Sequence, residues 1–398
     1  MTKRRGFRDG GIDARGENSW RLRYRVNGRR FTKTVHGTKT EAQKALRDLL
    51  HAGDTGGHVP PDKMTLGQWI EHWLSIGAPG NKRRREVGRR SIERYAELLC
   101  VHVVPALGER LLQQLQSSEI DALYVRLVDK VSARTAHHVH VVLGACLGTA
   151  TRTRKIARNP MLELAKVPSP GEADHGMALE ADQLRALVQG FKGSALFPIV
   201  AVAAFTGARR NETLALRWDD LDLAAKTLRI ERAVEETKEH GLQIKAPKTE
   251  RGKRTITIDD DLIALLVAER EKHLRLMAGV PDGAAVDLSL VKLPDGALMF
   301  PNPPSAGESF SFTKLRNPRN TTKEFVRKAT GLGFVGLRLH DLRGTHETLL
   351  LDAGVPVHVV AARCGHDPAV LLRSYAKRTR KADTSAAAVI SALSKGAL

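Results

Sequence analysis

Cysteine is scarce in this 398-residue chain: there are three, Cys100, Cys146 and Cys364, far apart and with no paired spacing. That excludes a disulfide framework and a cysteine-based zinc site, and all three read as ordinary buried thiols. Long apolar runs are missing too. The longest, around Ala195 to Phe205, contains Pro198, is stopped by Thr206 and Gly207, and falls short of the ~20 residues of a membrane-spanning helix. Lys3, Arg4 and Arg5 lead into glycines and polar residues where a signal peptide would have its apolar core. These absences predict a cytoplasmic protein with no membrane partner. The chain also lacks a P-loop and a clustered Asp/Glu set of the kind that holds Mg²⁺ in metal-dependent strand-transfer enzymes. His137, His138 and His140 have no acidic or thiol companion at ligand spacing, so no metal is expected there.

What the chain has in excess is positive charge. Its 64 Lys+Arg against 44 Asp+Glu give a formal +20, for which a polyanionic partner, nucleic acid first, is the simplest explanation. Residues 1–60 hold 14 basic and 6 acidic side chains, residues 61–170 hold 17 and 10, and residues 171–398 hold 33 and 28. The gradient suggests binding built toward the N-terminus and chemistry toward the C-terminus. At 42% hydrophobic residues the chain is globular, and its length suggests two or three units with separate cores.

Residues 19–35 alternate basic and apolar residues on both sides of Asn27-Gly28, a strong hairpin signal. One face is apolar, and the other is expected to present Arg21, Arg23, Arg25, Arg29 and Arg30 to DNA, beside Trp20 and Tyr24. A helix over residues 41–51 follows, with Ala42, Ala45, Leu46 and Leu49 able to pack on the sheet. The Gly- and Pro-rich stretch 53–61 reads as a tether. Residues 61–165 read as a basic helical domain with Leu66, Trp69, Ile70 and Trp73 at helical spacing. Lys82, Arg83, Arg84, Arg85, Arg89 and Arg90 form a cationic run, either solvated or on phosphate. Residues 166–177 are linker by composition, and the last domain spans 178–398.

In that domain an apolar helix stops at Thr206-Gly207 and is followed by Ala208-Arg209-Arg210-Asn211-Glu212. Arg209 and Glu212 are three apart and share a helix face; alone, that is an ordinary ion pair. Residues 241–259 read as one hairpin turning at Thr249-Glu250-Arg251-Gly252, with Lys248 near the turn. His340 and Arg343 lie three apart at the start of another helix that ends at Gly354. Gly365-His366-Asp367-Pro368 opens one more, with Tyr375 nine residues after His366.

Together these strings resemble the motif series of the tyrosine recombinase (phage integrase) family. They are Thr-Gly-Ala-Arg-Arg-Asn-Glu with Leu216-Arg217-Trp218-Asp219-Asp220-Leu221-Asp222, then Pro247-Lys248-Thr249, His340-Asp341-Leu342-Arg343, Gly365-His366 and Tyr375. Each is weak singly, but five in this order are specific. The resemblance implies a mainly α fold with small β-sheets: an arm-binding sheet-plus-helix module over 1–60, a helical core-binding domain over 61–165 and a mostly helical catalytic domain. It implies Arg209 and Arg343 on the scissile phosphate, Glu212 orienting Arg209, Lys248 and His340 in proton transfer, His366 as a further phosphate donor and Tyr375 as nucleophile. It implies no cofactor and no metal. The implied partners are double-stranded DNA at core-type and arm-type sites, further copies of the chain in a homotetramer, a host DNA-bending factor and an excision factor. Gly344 stands where a histidine is common in the family, and Cys364 where leucine is usual. A type IB topoisomerase, or a DNA-binding protein with a decayed site, would carry part of the same pattern; the basic N-terminal module favours the recombinase.

The chemistry supports the assignment independently. Attack of a phenol on an anionic phosphodiester needs cations on the pentavalent transition state, and guanidinium groups supply them bidentately. The covalent phosphotyrosine conserves the bond energy, so rejoining needs no ATP.

Overall fold

In the computed structural model, which describes residues 10–26, 28–55, 57–80, 86–171, 176–247 and 250–375, the chain divides into two units, residues 1–173 and 174–398. In the first, β1 (Gly11–Gly16), β2 (Ser19–Val26) and β3 (Arg29–His36) form an antiparallel sheet in that order. Period-two alternation buries Leu22, Tyr24 and Val26 on one face. There they pack with Ala42 and Leu46 of α1 (Lys39–Asp54). Thr38 starts that helix with a capping box: its hydroxyl accepts from Glu41 N–H while the Glu41 carboxylate accepts from Thr38 N–H.

The two-residue turn fixes the register at Val26↔Arg29, Arg25↔Arg30 and Tyr24↔Phe31. The outer face therefore carries Arg21, Arg23, Arg25 and Arg30, but not Arg29. Lying opposite buried Val26, Arg29 is on the side of the sheet that carries Leu22, Tyr24 and Val26, and is itself exposed. The stretch 53–61 is not a free tether either. His58 is buried, its Nε2 3.1 Å from the Tyr24 hydroxyl and its ring 4.7 Å from that of Phe31. Gln113 donates to the Pro60 carbonyl, and Lys155 pairs with Asp62 at 3.2 Å.

The α-helices that follow α1 in this unit, among the described residues, are α2 (Leu66–Ser75), α3 (Arg89–His102), α4 (Val104–Leu107), α5 (Ser117–Val128) and α6 (Ala133–Arg152). The stripe Leu66, Trp69, Ile70 and Trp73 is buried as its spacing demands, and Trp69 donates to the Cys146 carbonyl on α6. Cys146 and Cys364 are buried, but Cys100 is exposed, because it falls on the outer side of α3, away from buried Leu98 and Leu99.

The second unit contains α7 (Ala181–Gly190), α8 (Phe197–Thr206), α9 (Arg210–Thr213), α10 (Asp260–Ala278), α11 (Pro318–Gly331), α12 (Asp341–Asp352), α13 (Val357–Cys364) and α14 (Pro368–Tyr375). Helix α8 is apolar on nearly every side and accordingly forms the centre of the core, against Leu214, Leu216 and Phe325 among others. Strands β4 (Leu221–Asp222), β5 (Thr227–Ile230) and β8 (Arg254–Thr257) make one antiparallel sheet; β6 (Ala233–Thr237) and β7 (Gly241–Lys245) make a separate hairpin. Residues 241–259 are thus not one hairpin. β7 turns back on β6 across 238–240, with Gly241 at φ +63°, while β8 joins β5. Alternation reports that a segment is a strand, not which strand it pairs with.

Candidate active site

Two helix stops build the site. Helix α8 ends on Gly207 at φ +67° and α13 on Gly365 at φ +66°, a left-handed conformation that glycine adopts without strain. A Cβ on Gly207 would come within 2.8 Å of His346 Cδ2 and 3.0 Å of Cys364 Sγ, so the two stops pack directly together. Their carbonyls hold the arginines. Arg343 donates from Nη1 to the Gly207 carbonyl at 2.6 Å and from Nη2 to that of Cys364 at 2.5 Å; Arg209 donates from Nη2 to that of Gly365 at 3.2 Å.

Arg209 caps α9 and is itself held by Glu212, whose buried carboxylate also accepts from Arg254 Nη2 at 2.8 Å. Burial alone would raise the Glu212 pKa, but the hydrogen bond and charge of Arg254, together with Arg209, outweigh it and lower it. Arg343 lies beneath, 2% exposed; burial and the nearby Arg209 charge bring its pKa down to about 10, which leaves it charged at neutral pH. His366 Nε2 lies 3.2 Å from Arg343 Nε, and both nitrogens face the buried Glu347, whose Oε1 is 2.8 Å from the imidazole and 3.1 Å from the guanidinium. His340 caps α12 at the surface. Packing around its ring, and then the charge of Arg343, hold its pKa below the usual histidine range.

The structure therefore gathers Arg209, Glu212, His340, Arg343 and His366. Lys248 lies outside the described residues. The backbone of Tyr375 closes α14, which packs on α13 through Leu371 against Val360 and Ala361; the Tyr375 side chain is outside the described part. The two departures from the motif pattern leave this arrangement intact: Gly344 is buried in α12, and Cys364 serves through its carbonyl, its thiol pushed up to about 11 by burial. In the other unit, Arg23 of the outer sheet face is engaged by Asp13 at 2.8 Å and Arg90 by Glu93 at 3.0 Å; Arg89 opens α3, while Lys82, Arg83, Arg84 and Arg85 lie outside the described residues.

Three residues of the site escaped the sequence. Arg254 stands in a basic string without a motif. His346 is buried, accepts from Arg363 Nε at 3.1 Å, and its Nδ1 lies 3.0 Å from the Ala204 carbonyl; burial, then Arg363, bring its pKa down to about 4. Glu347 alone left a signal, since it lies four residues after Arg343 on a helix and such residues meet.

Residues 178–381, just over half the chain, match the phage integrase family. The chain belongs to that family. It is thus a tyrosine recombinase, an enzyme of DNA strand cleavage and rejoining. It is 26% identical to an integrase of Streptomyces ambofaciens over 99% of both chains. Its fold is similar to that of the Tn1549 transposon integrase in complex with a circular intermediate DNA (TM-score 0.64, 17% identity, 82% of this chain and 99% of that one). It is also similar to that of lambda integrase in a tetramer bound to a Holliday junction (TM-score 0.55, 15% identity, 96% and 97%). At these identities the structural likeness is one of fold.

Proposed function

We propose that this integrase recombines DNA at specific sites of a phage or other mobile element through a 3′-phosphotyrosine formed by Tyr375. The observation that carries the reading is the convergence of Arg209, Arg343 and His366 on the 364–366 turn, directly before the helix that ends in Tyr375. The cations stabilise the charge that develops on the non-bridging oxygens. The Tyr375 oxygen bonds to phosphorus as the bond to the 5′-oxygen breaks, and that oxygen leaves with a proton from Lys248. His340, kept neutral near pH 7, takes the phenolic proton. The released 5′-hydroxyl, or that of a partner strand, reverses the step, so neither nucleotide nor metal is consumed.

The chain acts in the cytoplasm as a homotetramer on core-type sites, as the lambda integrase assembly on a Holliday junction suggests. Residues 61–165 hold the core site, residues 166–177 link them to the catalytic domain of 178–398, and residues 1–60 read arm-type sites. For that module the exposed arginine face of β2 and β3 is the support. A host DNA-bending factor and an excision factor complete the assembly.

The test starts from the DNA that flanks the gene, which supplies candidate attachment sites. A nicked suicide substrate made from such a site should trap a covalent adduct in EDTA without nucleotide. Cleavage that strictly requires Mg²⁺ would overturn the mechanism.

A further inference from the structure

Glu347 has no place in the motif series, yet it lies at the centre of the site. Its carboxylate is 5% exposed, one helical turn beyond Arg343, and its Oε1 lies between Arg343 Nε and His366 Nε2. A lone-pair nitrogen does not sit 2.8 Å from a carboxylate oxygen, because the two would repel. With Glu347 ionised, the contact therefore requires a proton on His366 Nε2, and Arg343 Nε pairs with the same buried oxygen through charge at 3.1 Å. With Nε2 turned inward, Nδ1 is the nitrogen left for another partner, and it can donate to a phosphate only when the ring is the doubly protonated imidazolium. The guanidinium is fixed likewise: Nε faces Glu347, and Nη1 and Nη2 each use one hydrogen on a backbone carbonyl, so each keeps one for another acceptor.

We infer that Glu347 is a positioning residue for strand cleavage, holding the His366 imidazole and the Arg343 guanidinium in the pose in which their remaining N–H groups meet the scissile phosphate. The inference rests on the reading of Arg343 and His366 as phosphate ligands. A buried carboxylate of this kind fixes which imidazole nitrogen carries the inner proton and stops the ring from rotating. It also offsets part of the charge gathered from Arg209, Arg343 and Arg254.

Single-turnover cleavage of a nicked suicide substrate by the full chain tests this. Arg343→Ala and His366→Ala come first: if neither slows cleavage, the phosphate reading falls and takes this inference with it. If both do, Glu347→Gln should lower the cleavage rate constant about 10- to 100-fold, the worth of one charge-assisted hydrogen bond. The DNA concentration for half-saturation should move less than about twofold, since the contacts that bind DNA elsewhere are unchanged. In a His366→Ala background the same substitution should cost clearly less than in the unsubstituted chain, because one of the two groups it positions is gone. A normal rate for Glu347→Gln, or the same loss in both backgrounds, would reduce Glu347 to an ordinary buried ion pair. Independently of any Glu347 variant, ¹⁵N-histidine NMR of the full chain should show a proton on His366 Nε2, with the signal assigned by its loss in His366→Ala. An unprotonated Nε2 would overturn the proposal.

Discussion

Glu212 grips Arg209 twice, accepting its backbone N–H on one carboxylate oxygen at 2.9 Å and its Nη1 on the other at 2.7 Å. The first bond fixes the main chain at the start of α9, and the second aims the side chain. With Arg254 on the same carboxylate, the charge is fully surrounded.

Replacing Glu212 by Gln leaves buried Arg254 facing a neutral amide and should cost about 3–5 kcal/mol of stability, as loss of one partner of a buried ion pair does. The sign with pH follows from the lowered pKa of this carboxylate. Its contribution is complete above the ordinary glutamate range, ~4.3, and is lost as pH falls through the lower folded value. Denaturant unfolding between roughly pH 3 and 7 should show a flatter acid limb for Glu212→Gln than for the unsubstituted chain. Parallel acid limbs would mean that Glu212 does not carry this linkage.

A second pH dependence belongs to His346, buried with its pKa brought from 6.5 to about 4. Between those values the unfolded chain binds a proton that the folded chain refuses. Stability is therefore full above about 6.5 and declines as pH falls toward about 4, by up to ~3 kcal/mol. His346→Gln should remove most of that slope. If the slope between pH 6.5 and 4 is unchanged in the variant, the proton uptake lies elsewhere.

The reading of residues 53–61 as a free tether was overturned by His58, whose ring closes over Tyr24 and Phe31. His58→Ala should speed proteolytic nicking within 53–61 about fivefold or more, the equivalent of ~1 kcal/mol of lost local stability. Tyr24→Phe, which keeps the stack and loses only the 3.1 Å hydrogen bond, should do less. Equal nicking in all three proteins would mean that the segment opens without breaking this contact.

What could be read from the sequence, and what could not, divides along physical lines. Local rules carried the helices: the stop at Gly207, the helix that follows the first hairpin and the stripe on α2 each depend on neighbours within one or two turns. They also put Arg209, His340, Arg343 and His366 on helix ends, where motif strings are short and rigid. Pairing between distant segments was not legible. Residues 241–259 alternate whether β7 meets β8 or β6, and Arg254 reaches Glu212 only because β8 joins β5. Arg29 was misplaced for a related reason, since the turn length decides the face and a list of arginines does not. The ring of contacts around Glu347 needs α12 and the turn after α13 side by side, a tertiary fact that only the i,i+4 spacing foreshadowed.

Lys248 is assigned from its place in the Pro247-Lys248-Thr249 string, and the proposed role has a distinctive kinetic signature. As general acid it is worth ~10²- to 10⁴-fold, so Lys248→Ala should cleave ordinary DNA that much more slowly. A substrate whose 5′-leaving oxygen is replaced by sulfur needs no proton, and on it the variant should recover most of the rate. Arg343→Ala should not recover, because its guanidinium serves the non-bridging oxygens. Equal defects of Lys248→Ala on both substrates would make His340 the better candidate acid.

The most direct measurement is peptide mapping of the covalent adduct trapped on a nicked suicide substrate, with Tyr375→Phe run beside it. The account predicts a nucleotide joined through a 3′-phosphate to Tyr375 alone, and a Phe variant that binds DNA nearly as well but yields no adduct. An adduct on another residue, or a wild-type level of adduct from Tyr375→Phe, would contradict it.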